Sequence, residues 1–120
     1  MKYFWDSFAL IEITKNNSNY LPYADEITVT TIFNLVELYY AILRDFDEEV
    51  SKVVYYKFKD CIHEVNDEII FEAMEFRKLH KNKNFSYVDC IGYIFALKNN
   101  LRFLTGDKGF KDISNVEFVQ

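Results

Sequence analysis

Residues 86–119, SYVDCIGYIFALKNNLRFLTGDKGFKDISNVEFV, decide the fold. Ser86 can cap a helix over residues 87–97, and Asp89 three positions on gives a Ser-x-x-Asp capping box. That helix is apolar on nearly every side, which places it centrally rather than at the surface. An apolar strand follows at residues 102–105, RFLT, then a turn and short helical piece at 106–110, and a closing strand at 116–119.

Working outward, residues 2–5, KYFW, read as a short buried strand, and Asp6-Ser7 then opens a helix running to about residue 14. Residues 15–25, KNNSNYLPYAD, contain the only proline and several turn formers, which predicts a loop. The β-branched run at 27–30 suits a second strand. Residues 34–45, NLVELYYAILRD, predict a long helix, apolar on most sides, with Asn34, Glu37 and Arg44 in a narrow polar stripe. Residues 45–59 carry another helical pattern, with Val50, Val53, Val54 and Phe58 sharing a face, and residues 61–65 look like a strand. Asn66 can cap a helix through IIFEAMEFRKL that turns Ile69, Ile70, Ala73, Met74 and Phe76 to the core; KNKN ends it. This order of elements predicts an α/β sandwich with a mainly parallel sheet and a single domain over residues 1–120.

Half the residues are hydrophobic and 18% aromatic, too much apolar material for a disordered chain. The net charge of -5 argues against a broad basic surface gripping nucleic acid, because such affinity comes from Lys and Arg. Bound divalent cations would reverse the potential locally, so an acidic nuclease stays open. Cys61 and Cys90 have no CxxC spacing and are expected as free thiols. The start of the chain is interrupted by Asp6 and Glu12 and does not read as a signal peptide. With no apolar run of the length of a membrane span, the expected location is the cytosol.

In open α/β folds ligands bind beyond the carboxyl ends of the strands. Asp6 follows the strand ending in YFW, and Asp107 follows RFLT-Gly106, so both project from one sheet edge. Asp89 enters from the first turn of its helix, and Glu37 lies near the start of a helix that follows a strand. Each acid alone has a plainer role: Asp6 as an N-cap, Glu37 as a solvated side chain, Asp89 in a capping box, Asp107 in a turn. Together they would repel one another unless a cation resolves the conflict. Hard oxygen ligands without His or Cys select Mg²⁺ or Mn²⁺, the requirement for phosphodiester hydrolysis.

These segments resemble a PIN domain, and most closely the VapC-type toxin ribonucleases of VapBC toxin–antitoxin systems. KYFWDSFALIE is similar to the opening strand with its Asp and small hydroxyl residue, and VTTIFNLVELYYAIL to the helix with its internal Glu. NDEIIFEAMEFRKL resembles the connecting helix, and residues 86–119 the family's ending. The resemblance implies a three-layer α/β/α fold in which Asp6, Glu37, Asp89 and Asp107 ligate Mg²⁺ or Mn²⁺ and position an attacking water. It further implies Ser7 and Thr105 as hydroxyl neighbours, an RNA substrate, a small cognate antitoxin and a homodimer. The helix after Asp89, CIGYIFAL, is bulkier than the small-residue pattern usual there, and Gly106 occupies the variable position before Asp107.

A haloacid-dehalogenase-like phosphatase needs a second Asp where this chain has Phe8, and a phosphoreceiver domain needs paired acids where it has Asp6-Ser7. Cys61 and His63 could share a strand face as metal ligands, with only His80 and Cys90 left to complete a site. The main competitor is a non-catalytic PIN-fold protein-binding module, which Tyr39, Tyr40, Tyr55, Tyr56 and Phe58 would suit.

Overall fold

A computed structural model describes residues 2–120. Its sheet has four strands, β1 (Tyr3–Trp5), β2 (Thr28–Val29), β3 (Arg102–Thr105) and β4 (Val116–Phe118), in the order β2-β1-β3-β4. All three pairings are parallel. Five helices accompany it: α1 (Ser7–Thr14), α2 (Ile32–Asp45), α3 (Glu48–Phe58), α4 (Asp67–Leu79) and α5 (Tyr87–Lys98).

Side chains alternate across a strand, so the two central strands feed two separate cores. Phe4 and Phe103 are register partners whose rings stack at 5.9 Å, and both join the cluster formed with α4 and α5. Trp5 and Leu104, the next partners, point the other way into a cluster with α1, α2 and α3. The result is the expected three-layer α/β/α sandwich.

The bulky α5 still lies close to the sheet, because Gly92 faces it. A Cβ there would stand 2.7 Å from the Phe4 ring and 3.2 Å from Phe103. Beyond it, Phe110 stacks on Phe85 at 4.1 Å and meets Phe103 at 4.8 Å, which anchors the turn after β3 to the core. Chain reversals elsewhere use asparagine: Asn16, Asn84, Asn100 and Asn115 hold φ between 56 and 62°, a region Asn tolerates better than most side chains.

Several expectations change. Residues 61–65 do not form a strand; a 3-10 turn at Lys59–Cys61 leads to a single bridge between Thr30 and Ile62. β2 has only two residues, and Asn66 already caps α4 through the Ile69 N–H, so no length remains for a ladder. On α3 the inward face is Ser51, Val54, Tyr55 and Phe58, whereas Val50 and Val53 are exposed. Ser51 can be buried because its hydroxyl donates to the Asp47 carbonyl at 2.8 Å. The loop at 15–25 contains a 3-10 helix, Ser18–Tyr23, whose buried Tyr20 donates to the Val119 carbonyl at 2.5 Å. Cys61 and Cys90 are free thiols, and no helix among the described residues is long and apolar enough to cross a membrane.

Candidate active site

The sheet order fixes where a site can form. From the carboxyl end of β1 the chain leaves through α1 on one face, and from that of the neighbouring β3 it leaves through the turn at Lys108–Phe110, whose Phe110 joins the core on the other face, so the connections diverge beyond the carboxyl ends of these strands. A cleft of about 900 Å³ opens there. Asp6, Glu37, Asp89 and Asp107 all line it, together with Ser7 and an apolar wall that includes Phe8, Ile11, Val36 and Tyr40. Arg44 and Lys108 also border it; Arg44 is paired with Asp45 at 3.2 Å.

Asp6 extends the ladder, its N–H donating to the Leu104 carbonyl at 3.1 Å. It occupies the N-cap position of α1 yet makes no capping bond. Its side chain instead turns to β3, where the Thr105 hydroxyl donates to Oδ2 at 2.7 Å, and Oδ1 is buried without a hydrogen-bond partner. At 2% exposure, burial first and then the charge of Asp89 push this carboxyl well above the usual range. The Thr105 hydroxyl and the Ser7 N–H offset this only in part, so an ionised Asp6 has fewer donors than a buried charge requires.

Glu37 is not a solvated helical glutamate. It is half-buried, and the Ser7 hydroxyl donates to its Oε1 at 2.5 Å. Asp89 does serve its capping box, Oδ2 accepting from the Ser86 N–H at 2.9 Å while the Asp89 N–H donates to Ser86 Oγ at 3.0 Å. Burial, opposed by those bonds and reinforced by the charges of Asp107 and Glu37, lifts it to about 6. Asp107 likewise keeps its turn role, Oδ1 accepting from the Gly109 N–H at 2.9 Å, and its own N–H donates to Thr105 Oγ1 at 3.1 Å. Thr105 thus links two of the acids across the strand end. Gly106 is forced by space: a Cβ would overlap the Phe8 ring and the Val119 carbonyl.

The four acids share one cleft, but among the described residues no three His, Cys, Asp or Glu side chains are gathered closely enough to hold an ion as placed. His63 packs edge-on against Phe95 at 6.1 Å. Two participants escaped the sequence reading of the site. Thr31 and Asn34, both fully buried, form a polar path from the start of α2 to Ser7. Asn34 stood out only as part of a polar stripe on an apolar helix, and its burial side was not legible.

No curated protein matches the sequence. The fold is similar to that of a toxin–antitoxin complex from Klebsiella pneumoniae, with TM-score 0.75 and 17% identity over 97% of this chain and 96% of that one. It is also similar to VapC20 of Mycobacterium tuberculosis, a sarcin–ricin-loop-cleaving toxin, with TM-score 0.83 and 13% identity over 99% and 100%. Identities this low speak for the fold. The family model described as the PIN domain matches residues 3–116, a span holding all four cleft acids. The chain belongs to the PIN domain family.

Proposed function

We propose that this protein is a metal-dependent endoribonuclease, the VapC-like toxin of a toxin–antitoxin pair, acting on cytoplasmic RNA through Asp6, Glu37, Asp89 and Asp107. One observation carries the reading: Asp6 is buried in a cleft that three other acids also line, with one oxygen lacking any donor. A carboxylate placed so destabilises the fold unless it takes up a proton or a cation joins it, and an all-carboxylate set suits Mg²⁺ or Mn²⁺. Bound there, such an ion supplies Lewis acidity, making water a better nucleophile and offsetting charge on the phosphorus and leaving oxygen.

The chain's own residues do the rest. Thr105 holds Asp6 through Oδ2, Ser7 holds Glu37, the Ser86 N–H holds Asp89, and the Gly109 N–H holds Asp107. Each carboxyl is thereby oriented through one oxygen. The apolar wall of Phe8, Ile11, Val36 and Tyr40 offers nucleobases a surface, and Lys108 a positive charge for a phosphate.

The toxin reading adds a small cognate antitoxin and a homodimer. Exposed apolar residues on α2 and α3, including Val36 and Tyr40 and, on α3, Val53 and Tyr56, suit a protein partner. They would equally serve a PIN fold that only binds proteins. The cleavage assay separates the two: purified protein should cut RNA with Mg²⁺ or Mn²⁺, stop with EDTA, and lose activity in Asp6→Ala or Asp89→Ala while remaining folded. Equal cleavage by the variants sinks the nuclease. A mass of one chain by light scattering at micromolar concentration rules out the dimer.

A further inference from the structure

Behind the cleft, between α1 and α2, runs a short buried polar relay. Thr31 Oγ1 donates to Asn34 Oδ1 at 2.6 Å, Asn34 Nδ2 donates to Ser7 Oγ at 3.0 Å, and Ser7 Oγ donates to Glu37 Oε1 at 2.5 Å. Thr31 and Asn34 are fully buried, and Ser7 is 7% exposed. At Thr31 and Asn34 no solvent is at hand to replace a missing partner.

Donor counting fixes the direction of every bond. A carboxylate only accepts, so the single Ser7 proton must point at Glu37. Ser7 can then only accept from its other neighbour, so Asn34 must present its NH₂ there. Its carbonyl oxygen consequently faces Thr31, whose hydroxyl donates to it while accepting from the Asn34 N–H at 3.5 Å. With the amide reversed, its oxygen would compete with Glu37 for the same proton. Asn34 therefore leaves Ser7 one orientation, and Ser7 holds one rotamer of Glu37.

We propose that Asn34 is a positioning residue for the candidate metal centre, acting on Glu37 through Ser7; this rests on the metal-dependent reading of the cleft. Partners that orient a ligand in this way are commonly worth about 10–100-fold in metal affinity. Asn34→Leu keeps the shape of the side chain and removes its donor.

The test is a double-mutant cycle on Mn²⁺ affinity by isothermal titration calorimetry, combined with NMR of the metal-free protein. Asn34→Leu should weaken Mn²⁺ binding by about 10–100-fold and have no further effect in a Glu37→Ala background. Equal losses in both backgrounds overturn the proposal, because a merely structural effect would not depend on Glu37. Ser7→Ala breaks the same relay at its next link and serves where Asn34→Leu does not fold. Without metal, the Asn34 side-chain amide resonances should move in Ser7→Ala and in Glu37→Ala. Unmoved resonances refute the relay whatever binds in the cleft. Absence of Mn²⁺ binding by the unsubstituted protein refutes the metal-centre reading instead, and the amide resonances still decide the relay.

Discussion

Asp89→Asn tests how much strain the acid cluster places on the fold. Burial, with the charges of Asp107 and Glu37, raises the Asp89 carboxyl from 3.8 to about 6. Because its folded value lies above its unfolded one, the group's contribution to stability is complete below pH 3.8 and is lost as pH rises through about 6. At 1.36 kcal/mol per unit, and allowing for partial solvent access, the loss is about 2–3 kcal/mol. Asparagine still accepts the Ser86 N–H and does not titrate, so it escapes this loss. Thermal melts followed by circular dichroism in EDTA should show the wild type falling relative to Asp89→Asn between pH 4 and pH 7.5, by roughly 10 °C. Saturating Mn²⁺ should restore the wild type and leave the variant unchanged. Parallel pH profiles for the two proteins would falsify the reasoning, since they would mean that Asp89 is no more strained folded than unfolded.

Two other substitutions probe the supports of the site. Gly106→Ala drives a methyl group into Phe8 and the Val119 carbonyl, so it should destabilise by at least about 1–3 kcal/mol and disturb the turn that holds Asp107, measurable by urea unfolding. An unchanged midpoint would show that the turn relaxes freely. Phe110→Ala removes a fully buried ring stacked on Phe85 and should cost about 3–5 kcal/mol by the same measurement, with a loss under 1 kcal/mol speaking against its anchoring role.

Much of the fold was legible because the signals are local. The capping box at Ser86 and Asp89, the N-cap at Asn66 and the apolar runs YFW and RFLT each specify their own element. Residues 61–65 misled because a short segment with Cys61, Ile62 and Val65 looks like a strand, and only the two-residue length of its neighbour β2 leaves it a single bridge. The face of α3 misled because Ser51 hides its hydroxyl in its own helix, which no apolar periodicity records. The apolar pattern grouped Val50 and Val53 with Val54 and Phe58, and only the last two turn inward.

For the site, the sequence by itself placed Asp6, Asp89 and Asp107 at the ends of apolar strands or the start of an apolar helix, while Glu37 rested mostly on the family resemblance. Parallel pairing then carries Asp6 and Asp107 to one edge by register alone. What the tertiary structure decided is how each carboxyl is held: Asp6 turned away from its own helix toward Thr105, Glu37 tied to Ser7, and Asn34 buried behind both. Those contacts join residues 30 and 99 positions apart, where the geometry of packed layers, not local preference, sets which hydroxyl meets which oxygen.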